Sequence, residues 1–252
     1  MQIQRYFIKL SYKGTHFFGW QIQPKAISVQ ETVAKALTKI NRGETIKVTG
    51  CGRTDTGVHA SEFYAHADFY TPLDIPTLAH KLNCMLPEDI AIHNIQIVTN
   101  EVHSRFSATA RTYHYYIHQH KNPFLAQTSW YHRKDLDIEK MNEACQLLFE
   151  RKNFKCFSKT ITGNSSFECD VTKAEWTKTT EGYKFTIKAN RFLRNMVRAI
   201  VGTMVDIGTN KTSLKEWEEI LNSEERSSAG KSAPACGLFL AGVAYDNNKE
   251  IL

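Results

Sequence analysis

One order of hydrophobic periodicities occurs twice along this chain, and it restricts the folds available to it. Arg5–Leu10, Ile46–Thr49, Glu62–Phe69 and Ile90–Val98 carry strand-like patterns. Between them, Ser28-Val-Gln-Glu31 has the form of a capping box opening a helix to about Ile40, and Pro76 suits the first turn of a helix to about Met85. The second half repeats this order. Arg111–His118, Cys169–Trp176, Tyr183–Ala189 and Leu238–Tyr245 are strand-like. The third of these alternates cleanly, Tyr183, Phe185, Ile187 and Ala189 against Lys184, Thr186 and Lys188. Ile138, Met141, Cys145 and Leu148 share a helical face, Phe192–Ile207 has the pattern of a long helix, and Ser213–Glu216 is a further capping box for a helix to about Asn222. The expectation is an α+β fold of two RRM-like or ferredoxin-like halves with largely antiparallel sheets. The domains are expected at 1–102 and 103–252, the boundary falling near Asn100–Arg105. Lys159–Ser166 and Ser223–Ser232, rich in small and polar residues, are the loops expected to move.

Composition excludes several classes. With 42% apolar and 23% charged residues, the 252-residue chain has ordinary globular usage rather than that of a disordered segment. No apolar run is long enough for an export signal or a membrane span, so a soluble cytoplasmic protein with no membrane association is expected. The six cysteines are scattered and form no CxxC pair, which argues against structural zinc, and without an export signal disulfides are not expected. The histidines, His114, His118 and His120 among them, do not complete a metal-ligand spacing, and no metal is expected. The formal net charge of +6 permits a polyanionic partner without requiring one.

Three segments carry residues suited to chemistry. Arg53-Thr-Asp55 lies between Gly52 and Gly57, where glycines allow a tight turn with positive φ and close approach by a ligand, so the carboxylate is presented rather than buried in an element. Arg53 is placed to keep Asp55 ionised. The plainer account is a surface turn with an ion pair. Arg191, Arg194 and Arg198 are spaced three and four apart and, on the expected helix, form one stripe able to meet RNA phosphates or a carboxylate. A solvated basic face is the commoner origin of such a stripe. On the aromatic strand Arg111–Tyr116, Tyr113 and Tyr115 share one face and His114 and Tyr116 the other. Such rings stack bases or, more often, fill a core.

Together these segments resemble the TruA family of tRNA pseudouridine synthases. Gly52-Arg-Thr-Asp55-Thr-Gly-Val-His-Ala60 resembles the family signature around its catalytic aspartate. Arg105-Phe-Ser-Ala-Thr-Ala-Arg111-Thr-Tyr113-His-Tyr115, Phe192-Leu-Arg-Asn-Met-Val-Arg198-Ala-Ile-Val-Gly202 and Ala233-Pro-Ala-Cys-Gly237-Leu resemble later blocks. Gly19-Trp-Gln21 and Asn83-Cys-Met-Leu-Pro87 resemble further landmarks. The likeness runs in order along nearly the whole chain. It departs at Asn195, where the family often has histidine, and no role is assigned there. The resemblance implies isomerisation of uridine to pseudouridine in the anticodon stem-loop of tRNA, without cofactor or metal, by a homodimer. It implies Asp55 as the catalytic nucleophile or base, and Tyr113 packed on the target uracil. It also implies Arg198 paired with Asp55, Arg53 holding or displacing the nucleotide, and a catalytic cleft between the halves. Arg194 is taken as a phosphate contact on the RNA.

Two other readings compete. A non-catalytic RNA-binding protein with two RRM-like domains accounts for the charge and the Tyr113 strand but not for the Asp55 turn, and the chain has no RNP1-like run. An aspartic protease would use Asp55-Thr-Gly57, but such enzymes need two carboxylates sharing a proton, and no second such triplet exists.

Overall fold

The computed structural model describes residues 3–159 and 166–246. It is a mixed α/β protein with mostly antiparallel strand pairing and, among the described residues, five α-helices. The chain divides into two compact units, Met1–Thr109 with Leu240–Leu252, and Ala110–Phe239.

In the first unit, β1 (Gln4–Tyr12) runs antiparallel between β3 (His59–Phe69) and β4 (Ile90–Val98). The short β2 (Val48–Gly50) pairs with β3, and β9 (Leu238–Tyr245) also lies beside β3. Alternation sorts the faces of β1. Tyr6, Ile8, Leu10 and Tyr12 are buried on one side. On the other, Phe7 packs with Val98 and Val102 beneath Tyr64 and Tyr245. Helix α1 (Val29–Ile40) begins where the Ser28 hydroxyl accepts from the Glu31 N–H, and α2 (Ile75–Met85) where Asp74 caps Thr77. The two helices pack on each other, α1 also on β2 and α2 on β4, burying Val33, Leu37, Leu78 and Leu82.

In the second unit, β8 (Gly182–Ala189) lies antiparallel between β5 (Ala108–His118) and β7 (Val171–Lys178). The two-residue β6 (Trp130–Tyr131) adds to β5 in parallel. Helix α3 (Ile138–Phe149) packs on β7 and on α4 (Met196–Gly208), and α5 (Leu214–Ser223) packs on both helices. Trp176 stacks on Phe185 at 4.8 Å, and the Trp217 indole N–H donates to the Ala144 carbonyl at 3.0 Å, so each large ring is both buried and satisfied. The Ser213–Glu216 capping box is fully formed.

One expected element is shorter than its pattern. The helix expected over Phe192–Ile207 begins only at Met196, because Asn195 has φ +67°, a left-handed conformation that a right-handed helix cannot contain. Arg191 and Arg194 therefore precede the helix, and the three-arginine stripe does not exist.

Of the two loops expected to move, Lys159–Ser166 lies largely outside the described residues. The other is tethered. Arg226 donates to the carbonyls of Ala229 and Gly230 and to the Ser232 hydroxyl. The Gly230 N–H donates to Thr203 on α4 at 3.0 Å. No helix among the described residues is long and apolar enough to cross a membrane.

Candidate active site

Asp55 sits in the connection between β2 and β3, half-buried, with Arg53 exposed and Thr54 buried beside it. This connection is held at several points. The hydroxyls of Thr54 and Tyr12 share a buried hydrogen bond of 2.9 Å. The Trp20 N–H donates to the Thr54 carbonyl at 3.3 Å, and the Val58 N–H to the Asp55 carbonyl at 3.1 Å. Beneath them Trp20 stacks on Phe63 with centroids 4.1 Å apart, and Tyr12 meets Phe63 edge-on at 5.4 Å. The carboxylate is thus carried by a backbone fixed on an aromatic floor, which holds its position in the turn.

The glycines of this turn divide their work differently from expectation. Gly57 has φ +77°, the left-handed geometry that glycine adopts without steric cost. Gly52 has no positive φ, and a Cβ there would meet nothing within 4 Å. Its small size instead leaves open one wall of a hollow of about 260 Å³, which Trp20, Gln21, Arg53, Arg105 and Phe106 also line. The signature histidine, His59, is wholly buried, and its Nδ1 accepts from the Gly14 N–H at 3.0 Å. It is a fastener for the chain entering the site, with no face open to a substrate.

The other candidate residues lie in the second unit. Tyr113 is half-buried on β5, with Phe192 edge-on to its ring at 5.1 Å and 89°. Tyr115, on the same face, is fully buried and donates to the Pro234 carbonyl at 2.8 Å. Tyr115 is core, which leaves Tyr113 as the more accessible ring of the pair. Arg198 occupies the first turn of α4, half-buried, its Nε–H donating to the Ala233 carbonyl at 2.8 Å while the Ala233 N–H donates to the Arg198 carbonyl at 2.9 Å. This clasp fixes the plane of the guanidinium. Arg194 is exposed. Asn195 donates to the Ser232 hydroxyl at 2.7 Å, which gives it a structural place in the same clasp.

Several residues in these surroundings were not evident from spacing. Gly19, Phe192 and His103 matter through partners distant in sequence, and Phe106 through His103, three residues before it. For Phe106 a signal was available, since an apolar residue between two arginine-bearing segments of a family block is a reasonable candidate for exposure.

The family model described as tRNA pseudouridine synthase matches residues 9–107 and 144–246, which include Arg53, Asp55, Arg194 and Arg198. The tRNA pseudouridine synthase A of Bacteroides fragilis is 49% identical over 247 residues, covering 97% of this chain and 98% of that one. That of Porphyromonas gingivalis is 46% identical, with 97% and 98% covered, and that of Bacillus licheniformis is 38% identical, with 94% and 98% covered. The chain belongs to the tRNA pseudouridine synthase A family.

Proposed function

We propose that this protein converts uridine to pseudouridine in the anticodon arm of tRNA, with Asp55 as the catalytic carboxylate. Family membership over nearly the full chain supports the activity. The observation that carries the assignment of Asp55 is the anchored turn, which holds a half-buried carboxylate and whose Gly52 and Arg53 line an open hollow.

The chemistry asks little beyond this. The bond from uracil N1 to the ribose C1′ breaks, the uracil turns, and a bond forms from its C5 to C1′ as the C5 proton leaves and N1 takes up a proton. Product and substrate are isomers, so neither a redox partner nor a group donor is consumed. A carboxylate serves as nucleophile at the sugar or as base toward it. A target uridine must leave its stack to be reached, and the aromatic and basic residues around one acid suit that task. In the RNA complex we assign Tyr113 to the face of the uracil and Arg198 as counter-charge to Asp55. Arg53 holds the displaced nucleotide, and exposed Arg194 meets a phosphate. With Arg191 and Arg194 off the helix, these arginines act as separate contacts rather than as a rail along one phosphate run. The finer architecture we propose is two RRM-like halves with a catalytic cleft. The order β4-β1-β3 with β2 on β3 supports this for the first half.

Incubation with an unmodified tRNA transcript, followed by mapping of pseudouridine along it, tests the reading. Product confined to the anticodon arm is expected, and product confined to another arm would overturn the assignment of site. We also propose a working homodimer, in soluble cytoplasmic form. Sedimentation at micromolar concentration should give twice the chain mass of 28.8 kDa, and a fully active monomer would refute the dimer.

A further inference from the structure

We infer that the hollow beside the Asp55 turn is a stacking subsite for one nucleobase of the substrate RNA, with Phe106 as its platform. This base is distinct from the reacting uracil, and the inference rests on the tRNA-modifying function proposed above.

Phe106 is 77% exposed, an unusual position for a phenyl ring in a well-packed unit. Yet it is not loosely held. The backbone N–H groups of Arg105 and Phe106 both donate to Nδ1 of His103, at 3.1 and 3.2 Å. The His103 imidazole lies against the Phe106 ring at 4.4 Å and 34°. His103 in turn contacts His66 at 4.8 Å, and His66 is joined through Nδ1 to the Ser104 hydroxyl at 2.9 Å. Ser104 donates onward to the Thr49 carbonyl at 2.8 Å. A column of three rings is therefore rooted in the β2 backbone and ends in the open face of Phe106. Burial foremost, with nearby Arg5 and His103, holds His66 down to about 4, and His103 is also lowered, so the rings beneath Phe106 are uncharged at neutral pH.

The surroundings match a base better than a protein side chain. The guanidinium of Arg105 lies 5.6 Å from the Phe106 ring centroid, and exposed Arg53 lines the same hollow. A flat ring flanked by cations serves single-stranded nucleic acid, the ring taking a base and the cations its phosphates. The bare edge of Gly52 leaves room for a planar ring to enter. The Gln21 side chain, held by its donation to Gln30 at 2.8 Å, offers a polar edge in the same wall. The subsite would accept a base by its face, and so tolerate different bases at that position of the RNA.

Two variants separate this role from a structural one. Phe106→Leu keeps an apolar side chain but removes the π face, and Phe106→Trp restores one. Each is measured with anticodon-arm RNA carrying 2-aminopurine at one loop position at a time. Loss of a base stack should weaken binding by about 5- to 150-fold in Phe106→Leu. Quenching of 2-aminopurine at one loop position should disappear in Phe106→Leu and return, with affinity, in Phe106→Trp. Unchanged affinity and quenching in Phe106→Leu, with only a lowered Tm, would overturn the proposal and leave Phe106 as a lid on His103. Binding lost alike to RNA and to an apolar peptide, with no quenching at any position in wild type, would mark the hollow as a protein contact and also overturn it. Failure of the underlying function appears separately, as wild-type protein that makes no pseudouridine in tRNA.

Discussion

Replacing Asp55 by Asn should bring pseudouridine formation below detection while tRNA binding survives. The substitution preserves size and nearly all shape, and the turn has anchors that do not involve the carboxylate. Thr54 holds Tyr12, the Thr54 carbonyl holds the Trp20 N–H, and the Asp55 carbonyl holds the Val58 N–H. What vanishes is the anionic oxygen that attacks the sugar or removes its proton. Removing a group of this kind costs about ten-thousandfold or more in turnover. Affinity should hold or rise slightly, because most of it comes from phosphates, which a carboxylate repels. Single-turnover product formation and filter binding, measured on the same preparation, check both halves. Near-normal turnover in Asp55→Asn would falsify the catalytic assignment.

The strands were legible in the sequence because period-two alternation is a local property. β4 and β9 match their patterns at both ends, and β8 differs by one residue. The start of α4 was not legible for the opposite reason. Phe192 and Met196 stand four apart and extend the apolar stripe backward, but Asn195 turns left-handed and bonds Ser232, a residue far along the chain. Asparagine tolerates that backbone better than most residues, and its choice is made by tertiary contacts. The same holds for the C-terminal strand. Its pattern announces a strand, but nothing local says that Leu240–Tyr245 belongs with the first unit, where the Val243 N–H donates to Glu62 and the Tyr245 hydroxyl donates to the Ser104 carbonyl.

At the candidate site, residue types that carry chemistry were visible and their supports were not. Asp55 and Arg53 stand out through the family-like block that carries them, since a charged pair in a glycine turn is by itself more often a plain surface turn. Thr54 does not stand out, yet its hydroxyl and carbonyl fix the turn. The left-handed geometry assigned by pattern to both flanking glycines belongs to Gly57 alone, because sequence marks where a glycine is and not what its missing Cβ would touch. His59 illustrates the converse. A histidine four residues from the proposed catalytic carboxylate invites an acid–base role, but complete burial and the bond from the Gly14 N–H confine it to architecture.

Gly19→Ala should be among the most damaging single changes outside the reacting groups. Gly19 has φ +80°, and a Cβ there would sit 2.3 Å from the Thr54 carbonyl oxygen and 3.1 Å from the Asp55 carbonyl carbon. Two penalties combine. A non-glycine residue in this backbone region costs about 1–3 kcal/mol, and forcing a methyl group into a packed contact costs about 1–3 kcal/mol more. The obstacle is backbone, so it cannot swing aside as a flexible side chain would. The Tm should fall by roughly 5–15 °C. The relief available to the chain is to push Thr54 and Asp55 outward, which lengthens the Trp20 N–H bond to Thr54 and displaces the carboxylate. A misplacement of about 1 Å costs on the order of a hundredfold in rate. Turnover should therefore drop more than stability alone explains, even at temperatures where the variant is fully folded. Gly43→Ala is the matched control. Gly43 has φ +92°, but its Cβ would meet nothing within 4 Å. It should lose a comparable backbone term, with a smaller fall in Tm and near wild-type turnover. If Gly19→Ala and Gly43→Ala behave alike in both thermal melting and single-turnover kinetics, the close approach of Gly19 to the Asp55 turn does not govern the position of the carboxylate.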